Sequence, residues 1–252
     1  MSYPGRSNKT GISLSFPGFP PGVKWLIVAN VAVFILGIVT ASTIVADFLA
    51  TLRLVPEAVV RLFAIWELAT YLFLHGSFSH ILWNMLALWM FGAEIERAWG
   101  TKRFLQFYFF CGIGAGICVV IANYIAGTPR TPTIGASGAI FGILLAYAMM
   151  YPNRTILWGF LIPIQVKWFV LIIGTISFLS AIWGGNSGVS EFAHLGGLLF
   201  AYIFMKMPRR RNRLDIAAPV RQYYRDWKLQ RAKKKFQVYL KKQGSGRDPW
   251  VH

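Results

Sequence analysis

Residues 131–153 read TPTIGASGAIFGILLAYAMMYPN. No charged residue interrupts this stretch, and it is longer than the roughly 20 apolar residues that a helix needs to cross the hydrocarbon of a bilayer. Near its start lies Gly135-Ala136-Ser137-Gly138, which puts a hydroxyl group among small residues. Polar groups within a membrane are costly and mark functional sites by default. The stretch therefore predicts a membrane-spanning helix with a candidate reactive serine at one end.

The composition of the whole chain also indicates a membrane protein. Its 252 residues are 56% hydrophobic and only 14% charged, whereas a soluble domain carries about 25% charged residues. Cys111 and Cys118 lie in one apolar stretch, which favours buried thiols over a disulfide framework. The first 23 residues lack a short apolar core followed by small cleavage-site residues, so we expect no removable signal peptide.

Six segments without charge predict an all-α membrane protein with six transmembrane helices. Five of them are long enough to cross a bilayer. The sixth is shorter and suffices if Lys206 extends its ammonium group to the interface and Glu191 also lies there. The segments are Trp25–Ala46, Leu68–Ala93, Phe104–Pro129, Thr131–Asn153, Trp168–Ser190 and Phe192–Met205.

Lysine and arginine residues set the predicted orientation, because they accumulate in cytoplasmic connections. They precede the first segment, follow the second, lie between the fourth and fifth, and follow the sixth. This bias places both termini in the cytoplasm and Ser137 near the outer face. The cytoplasmic set outside the tail is Arg6, Lys9, Lys24, Arg97, Lys102, Arg103, Arg154 and Lys167.

The connection from Asp47 to Glu67 is long and mixes apolar with charged residues. That mixture suits an interfacial, partly membrane-embedded element. Periodicity alone fits an ordinary amphipathic surface helix equally well, so both alternatives stay open.

Other polar residues fall at the same predicted depth as Ser137. His194 lies near the outer end of the sixth segment, and His80 and Asn84 lie near the outer end of the second. A lone histidine in an apolar helix is usually a satisfied core residue, but the convergence of several polar groups favours a site. A serine beside a histidine predicts a nucleophile with its general base.

His80 and Asn84 are four residues apart and share one face of a helix. Both can donate hydrogen bonds, as an oxyanion hole requires, and the first-turn backbone N–H of Ser137 is a third donor. The alternative is that His80 and Asn84 only join neighbouring helices.

The residues around His194 raise two further questions. Glu191 precedes it by one helical turn, and we interpret this acid as a favourable charge at the helix N-terminus rather than as a partner of the imidazole. Without an acid behind His194, the predicted chemistry is a Ser-His dyad. Small residues at Gly138 and Gly142, and at Gly197 and Ala201, allow close helix contact, or reflect ordinary packing.

Together these motifs resemble the rhomboid family of intramembrane serine proteases. The resemblance covers about Trp25 to Met207 and is specific because the motifs occur in this order. In chain order they are His75-Gly76-Ser77-Phe78-Ser79, His80-Ile81-Leu82-Trp83-Asn84, then Gly92, Glu96 and Gly100, then Gly135-Ala136-Ser137-Gly138, and finally Ala193-His194-Leu195-Gly196-Gly197.

The resemblance implies a six-helix bundle and a role for each matching residue. Ser137 would be the nucleophile, His194 the general base, and His80 with Asn84 the oxyanion donors. Phe141 would pack on the catalytic histidine. Members cut single-span transmembrane proteins near the outer membrane face and use no metal or cofactor. The supporting residues are Phe141, Gly135, Gly138 and Gly197.

Three positions bear on how far the resemblance extends. Ala201 replaces a second family glycine on the sixth helix, which widens that helix contact. Trp66-Glu67 stands where members often carry Trp-Arg, which leaves the anchoring of the long connection open. Glu96 and Gly100 keep a family turn, which we interpret as structural.

The predicted organisation is a cytoplasmic N-terminal segment at residues 1–23, a protease domain at 24–207 and a basic cytoplasmic tail at 208–252. The tail holds 14 of the 26 lysine and arginine residues. Basic and aromatic residues mix over Arg221–Lys242, which predicts an amphipathic helix on anionic lipid head groups. No nucleic-acid recognition motif accompanies the charge, so we expect no nucleic-acid partner.

These residues favour one of three classes of function. A serine endopeptidase is favoured, because both the serine and the histidine are present. A non-catalytic rhomboid-like protein that binds membrane clients is the alternative, and such proteins are expected to lack one of the two. A transporter is disfavoured, because its charges should lie across the membrane midplane. The compact six-span form predicts a bacterial inner membrane.

Overall fold

The computed structural model describes residues 18–41, 44–158, 161–183, 188–207 and 225–235, and the side chains of residues 188–190 lie outside that description. The chain divides into two compact units, Met1–Met207 and Pro208–His252. The described part of the first unit is mostly helical. Its helices are α1 (Pro21–Val39), α2 (Ile44–Ala50), α3 (Pro56–Arg61), α4 (Glu67–Thr70), α5 (Phe78–Ala87), α6 (Ala93–Trp99), α7 (Thr101–Ile125), α8 (Ser137–Met150), α9 (Val166–Trp183) and α10 (Gly188–Lys206).

Three of these helices, α1, α7 and α9, are long and apolar enough to cross a membrane, and α8 is a shorter apolar helix. Each of the four overlaps one of the predicted segments. α10 extends beyond Phe192–Met205 at both ends and carries Glu191 in its first turn. The fold is therefore that of a helical membrane protein.

The second predicted segment, Leu68–Ala93, differs most from the structure. It contains α4, a 3-10 turn at Tyr71–Phe73 and a non-helical stretch before α5 begins. The side chain of Ser77 accepts the backbone N–H of His80 at 3.2 Å and caps the start of α5. A capping serine starts a helix where it stands. The long helix thus begins at Phe78 and continues through a π-helical turn, Leu88–Gly92, into α6.

A two-stranded antiparallel hairpin joins α8 to α9 and was not expected in an all-α protein. Its strands are β1 (Thr155–Trp158) and β2 (Ile162–Gln165), and Ile156 pairs with Ile164. β-branched and aromatic side chains favour short paired strands. The run of apolar residues between the fourth and fifth predicted segments is explained in this way.

The centre of the first unit is α7. It contacts α8 and α10 along its length and also touches α1, α3, α4 and α6. Glycines on α7 leave room for large neighbours: a Cβ atom at Gly112 would clash with Leu72, and one at Gly114 would clash with Phe200. Tyr71 donates its hydroxyl hydrogen to the Gly112 carbonyl oxygen at 2.8 Å.

The start of α1 is held by Glu96. Its two carboxylate oxygens accept the backbone N–H groups of Gly22 at 2.8 Å and Val23 at 2.7 Å. The hydroxyl of Thr101 donates to the same carboxylate at 2.6 Å. Gly100 lies between Glu96 and Thr101 in the sequence and has a φ of 81°, a conformation that favours glycine. The structural interpretation of this turn is consistent with these contacts.

The connection between α1 and α4 folds as two short helices, α2 and α3, rather than one amphipathic helix. An isolated bridge pairs Leu54 with Thr133 through reciprocal backbone hydrogen bonds of 3.0 and 2.9 Å. The carboxylate of Glu57 accepts the Nε–H of Arg130 at 2.6 Å. That hydrogen bond lowers the pKa of Glu57. The connection is thus fastened to the loop that leads into α8.

Glu67 anchors the end of this connection differently from an arginine. Its side chain is buried and accepts the backbone N–H of Val55 at 2.7 Å. Burial raises the pKa of the carboxyl group. An acceptor at this position binds a backbone N–H of the connection, which an arginine side chain cannot do because it carries only donors.

The described part of the second unit is one helix, α11, at residues 225–235, with all its side chains exposed. The Arg231 guanidinium lies 4.6 Å from the ring centre of Trp227. The rest of the predicted helix Arg221–Lys242, and residues 1–17 of the N-terminal segment, lie outside the described residues.

Candidate active site

Ser137 is the first residue of α8 and follows a sharply bent loop. Gly135, two residues earlier, has a φ of 120°, and its N–H donates to the Tyr71 carbonyl oxygen at 2.9 Å. A residue with a side chain would be strained in that conformation. Because the first N–H groups of a helix lack helical partners, the Ser137 N–H is available to a ligand. The sequence thus builds a serine with an adjacent backbone donor.

His194 faces Ser137 from the first turns of α10. Its Nε2 atom lies 2.9 Å from the Ser137 Oγ atom, which is a hydrogen-bond distance. The Phe141 ring, one turn along α8, lies flat on the imidazole with 4.1 Å between ring centres and 2° between planes. The stacked ring limits rotation of the imidazole. The structure thus brings together Ser137, His194 and Phe141, which the sequence singles out.

Backbone contact between α8 and α10 makes this short distance possible. A Cβ atom at Gly197 would overlap the carbonyl oxygen of Gly138, and one at Gly142 would lie 3.2 Å from the Gly197 carbonyl oxygen. The predicted small-residue contact therefore runs through Gly138, Gly142 and Gly197. Ala201 is fully buried one turn further along α10.

The contacts of the other imidazole nitrogen of His194 differ from the interpretation given above for Glu191. Its Nδ1 atom lies 3.0 Å from Glu191 Oε2 and 3.3 Å from the Ser177 Oγ atom of α9. A first-turn residue at i−3 projects along the same helix face, so Glu191 reaches the imidazole as well as the helix terminus. The expectation that no acid lies behind His194 is wrong for this structure.

Ser177 is a residue that the sequence does not single out. It is buried, whereas most of α9 is exposed. Thr175 and Ser180 lie on the same helix, so a hydroxyl in this segment carries no signal by itself. Only the packing of α9 against α10 distinguishes Ser177.

His80 and Asn84 lie on α5. A Cβ atom at Gly135 would lie 2.7 Å from His80 Nε2, so the His80 ring rests on the loop that carries Ser137. Asn84 is buried, and its amide donates one hydrogen to the His80 carbonyl oxygen at 2.8 Å. Each amide has a second hydrogen to donate. The His80 ring thus lies beside the loop before Ser137, and Asn84 lies one turn further along α5.

His75 joins this side of the site. Its ring meets the His80 ring edge-on, with 4.9 Å between centres. The sequence marks His75 only as part of a motif. Its contact arises because the stretch before α5 is non-helical and folds back on the helix start. His75 therefore supports the orientation of His80.

The arrangement of these side chains suits acyl transfer. Among the described residues, no group of three or more histidine, cysteine, aspartate or glutamate side chains could hold a metal ion. A hydroxyl, an imidazole that can remove its proton, and nearby N–H donors are the parts that a serine hydrolase requires.

The sequence is similar to those of known proteins. The family model described as "Rhomboid domain" matches residues 63–211. The chain is 32% identical over 150 residues to the putative rhomboid protease YdcA of Bacillus subtilis, covering 58% of this chain and 70% of that protein. It is 36% identical over 149 residues to the rhomboid protease GluP of the same organism, covering 57% of this chain and 27% of that protein.

A mitochondrial relative is also similar. RHOMBOID-like protein 12 of Arabidopsis thaliana is 30% identical over 196 residues, which is 72% of this chain and 56% of that protein. The chain thus spans about half of this relative and about a quarter of GluP. Since the family match covers more than half of the chain and includes the stretches around Ser137 and His194, this membrane protein belongs to the rhomboid family.

Proposed function

We propose that this chain is an intramembrane serine endopeptidase in which Ser137 and His194 perform the chemistry. Relatives named as rhomboid proteases support a protease. The observation that carries the proposal is the 2.9 Å hydrogen bond between Ser137 Oγ and His194 Nε2. A serine hydroxyl is a weak nucleophile unless a base within this reach removes its proton.

The reaction follows from that contact. Ser137 Oγ attacks the scissile carbonyl carbon while its proton passes to His194 Nε2. The carbonyl electrons move to oxygen, and the collapse of this intermediate expels the amine, which takes the proton from His194. Water then attacks the acyl-serine with His194 again as the base, which releases the second product and restores the hydroxyl.

His80, Asn84 and the Ser137 backbone N–H are proposed to stabilise the oxyanion. Gly135 allows the His80 ring to lie against the serine loop. The bond from Asn84 to the His80 carbonyl oxygen fixes the amide and leaves its other hydrogen for the substrate oxygen. Donors fixed before the reaction cost no reorganisation when the negative charge develops.

The proposed topology has six spans with both termini in the cytoplasm, and the protease domain extends over residues 24–207. The long apolar helices α1, α7 and α9 support part of this count. With this orientation, Ser137 lies near the outer face, and single-span membrane proteins are cut there. We propose a bacterial inner membrane as the location, whereas two relatives are named as mitochondrial.

The tail at 208–252 is proposed to lie on anionic lipid head groups. Its described helix, α11, exposes a series of cations beside Trp227. Cations near an anionic membrane surface contribute about 1 kcal/mol each. The series is Arg225, Lys228, Arg231, Lys233, Lys234 and Lys235.

The test is cleavage of a generic single-span substrate by the full chain in liposomes. We expect Ser137→Ala and His194→Ala each to lower kcat by about 1,000-fold or more, because each removes a part of one chemical unit. Ser180→Ala, which removes a hydroxyl elsewhere in an apolar helix, is the matched control and should cleave like the wild type. A fluorophosphonate should label the wild type and Ser180→Ala but not Ser137→Ala.

Equal cleavage by the wild type and Ser137→Ala would overturn the proposal. A folded wild type that binds the substrate without cutting it would instead favour the non-catalytic alternative.

A further inference from the structure

The Nδ1 side of His194 is occupied by two polar groups on two helices. Glu191 Oε2 lies 3.0 Å from Nδ1, and Ser177 Oγ lies 3.3 Å from it. The two groups therefore meet the same nitrogen of the imidazole, Glu191 from α10 and Ser177 from α9. Ser137 occupies the other nitrogen at 2.9 Å.

These contacts decide which nitrogen carries the proton in neutral His194. A carboxylate can only accept hydrogen bonds, so its contact with Nδ1 requires an Nδ1–H group. Nε2 is then the unprotonated nitrogen, and the bond from Ser137 must run from the hydroxyl to Nε2. The choice of tautomer is set by the partner of the other nitrogen. This is the tautomer that a general base for Ser137 requires.

The same contacts also stabilise the histidine after proton transfer. When Nε2 takes the Ser137 proton, the ring becomes a cation 3.0 Å from a carboxylate. The side chains of His194 and Glu191 are only 18% and 24% exposed, so solvent screens the pair incompletely. An attraction that strengthens as charge develops lowers the barrier rather than only the energy of the bound state.

We infer that Glu191 is a positioning residue that completes a Ser137–His194–Glu191 triad, with Ser177 as a second polar partner of Nδ1. The inference rests on the proposed function and deepens it. Glu191 acts through His194 and does not touch the substrate.

Other groups face the pair from the helices packed around it. His80 on α5 interacts electrostatically with His194. α9 and α8 contribute the Ser177 and Ser137 hydroxyls, and α7 contributes the Cys118 thiol beside Gly196. Among these neighbours Glu191 is the one carboxylate in the described residues, so a change at this residue isolates the acidic contribution.

The first measurement is nitrogen NMR of the full wild-type chain, labelled in histidine and reconstituted in liposomes. The His194 signals are assigned by their loss in His194→Gln. We expect the neutral ring to carry its proton on Nδ1. A neutral ring protonated on Nε2 would overturn the inference, and this result does not depend on any Glu191 variant folding.

The second measurement is cleavage kinetics of Glu191→Gln and Glu191→Asp. We expect Glu191→Gln to lower kcat by about 10- to 100-fold with KM changed less than about twofold, since the effect lies in proton transfer. Glu191→Asp keeps a carboxylate and should recover part of that loss. Ser177→Ala should lower kcat less than Glu191→Gln, because the carboxylate still meets Nδ1.

A purely helix-terminal role for Glu191 predicts a different pattern. Glu191→Gln would then change the unfolding temperature while kcat stayed at the wild-type value, and this outcome would overturn the inference. Failure of the proposed function is recognised separately, because Ser137→Ala would then cleave as well as the wild type.

Discussion

The central helix α7 and the edge helices α1 and α9 are almost equally apolar but differ in what they touch. Half of the most apolar window of α7 is buried, against 22% for α1 and 17% for α9. α7, α8 and α10 meet through glycines and backbone atoms. α1 and α9 instead present most of their large side chains outward.

The difference shows that hydropathy locates a helix in the membrane but not in the bundle. Lipid is as apolar as leucine, so the apolar side chains of α9 do not force it inward. Small residues decide the interior, because they let backbones approach. Each edge helix has a specific polar attachment as well: Glu96 for α1 and Ser177 for α9.

The strongest test of this comparison is the same substitution in both regions. Gly197→Ala puts a methyl group into the carbonyl oxygen of Gly138, so α8 and α10 must separate. We expect a loss of about 2 kcal/mol or more of unfolding free energy, together with loss of cleavage. Thermal unfolding in detergent and the liposome assay measure the two effects.

The matched control is Gly174→Ala on α9. There the new methyl group would meet the Leu198 Cδ1 atom at 3.3 Å, which is the movable end of a side chain. Alanine is also the better helix former by about 1 kcal/mol, so the stability should stay the same or rise slightly. Equal destabilisation by the two variants would contradict the contrast between interior and edge.

A smaller effect is expected where an edge helix is attached. Glu96→Gln replaces a carboxylate whose two oxygens accept the N–H groups of Gly22 and Val23, and the amide has an oxygen acceptor at only one of these two positions. We expect a loss of about 2 kcal/mol, since hydrogen bonds to charged groups are worth about 1.5–3 kcal/mol. Thermal unfolding measures it.

Glu94→Gln is the control for Glu96. Glu94 pairs with the half-exposed Arg154 on the surface, where ion pairs contribute about 0–1 kcal/mol. Its loss should therefore be small. If Glu94→Gln destabilised the protein as much as Glu96→Gln, then the helix-start contact would have no special value.

The sequence singles out residues that the structure brings into contact. His194 bonds to Ser137 and stacks on Phe141, and the His80 ring lies on Gly135 in the loop before Ser137. The interpretation of Glu191 as a helix-terminal charge leaves out its contact with Nδ1. An acid in the first turn of a helix is already explained by the helix N-terminus, so the sequence gives no reason to look for a second partner. Whether it also meets a ring depends on a rotamer, which spacing does not fix.

Helix boundaries and the hairpin were harder to predict. Charge-free length joined residues 68–77 to the second helix, although Ser77 starts a new helix at Phe78. A hydropathy pattern does not show where a capping residue starts a helix. It also cannot separate an apolar strand from an apolar helix over a few residues, which is why β1 and β2 were missed.

The smallest expected effect lies at the exposed Glu57–Arg130 pair, which joins the connection between α1 and α4 to the loop before α8. The Arg130 hydrogen bond lowers the pKa of Glu57 below its usual 4.5. A lowered pKa stabilises the folded state above about pH 4.5, and this contribution disappears as pH falls through the lowered value. Arg130→Ala should therefore destabilise the connection slightly at pH 7 and progressively less as the pH falls below 4.5. Limited proteolysis of wild type and variant at pH 7 and at successively lower pH measures this difference.

Because Arg61 also contacts Glu57 at 3.1 Å, Arg61→Ala is the control and should show the same sign with a smaller size. A difference between wild type and Arg130→Ala that persisted at low pH would show that Arg130 acts through packing rather than through charge.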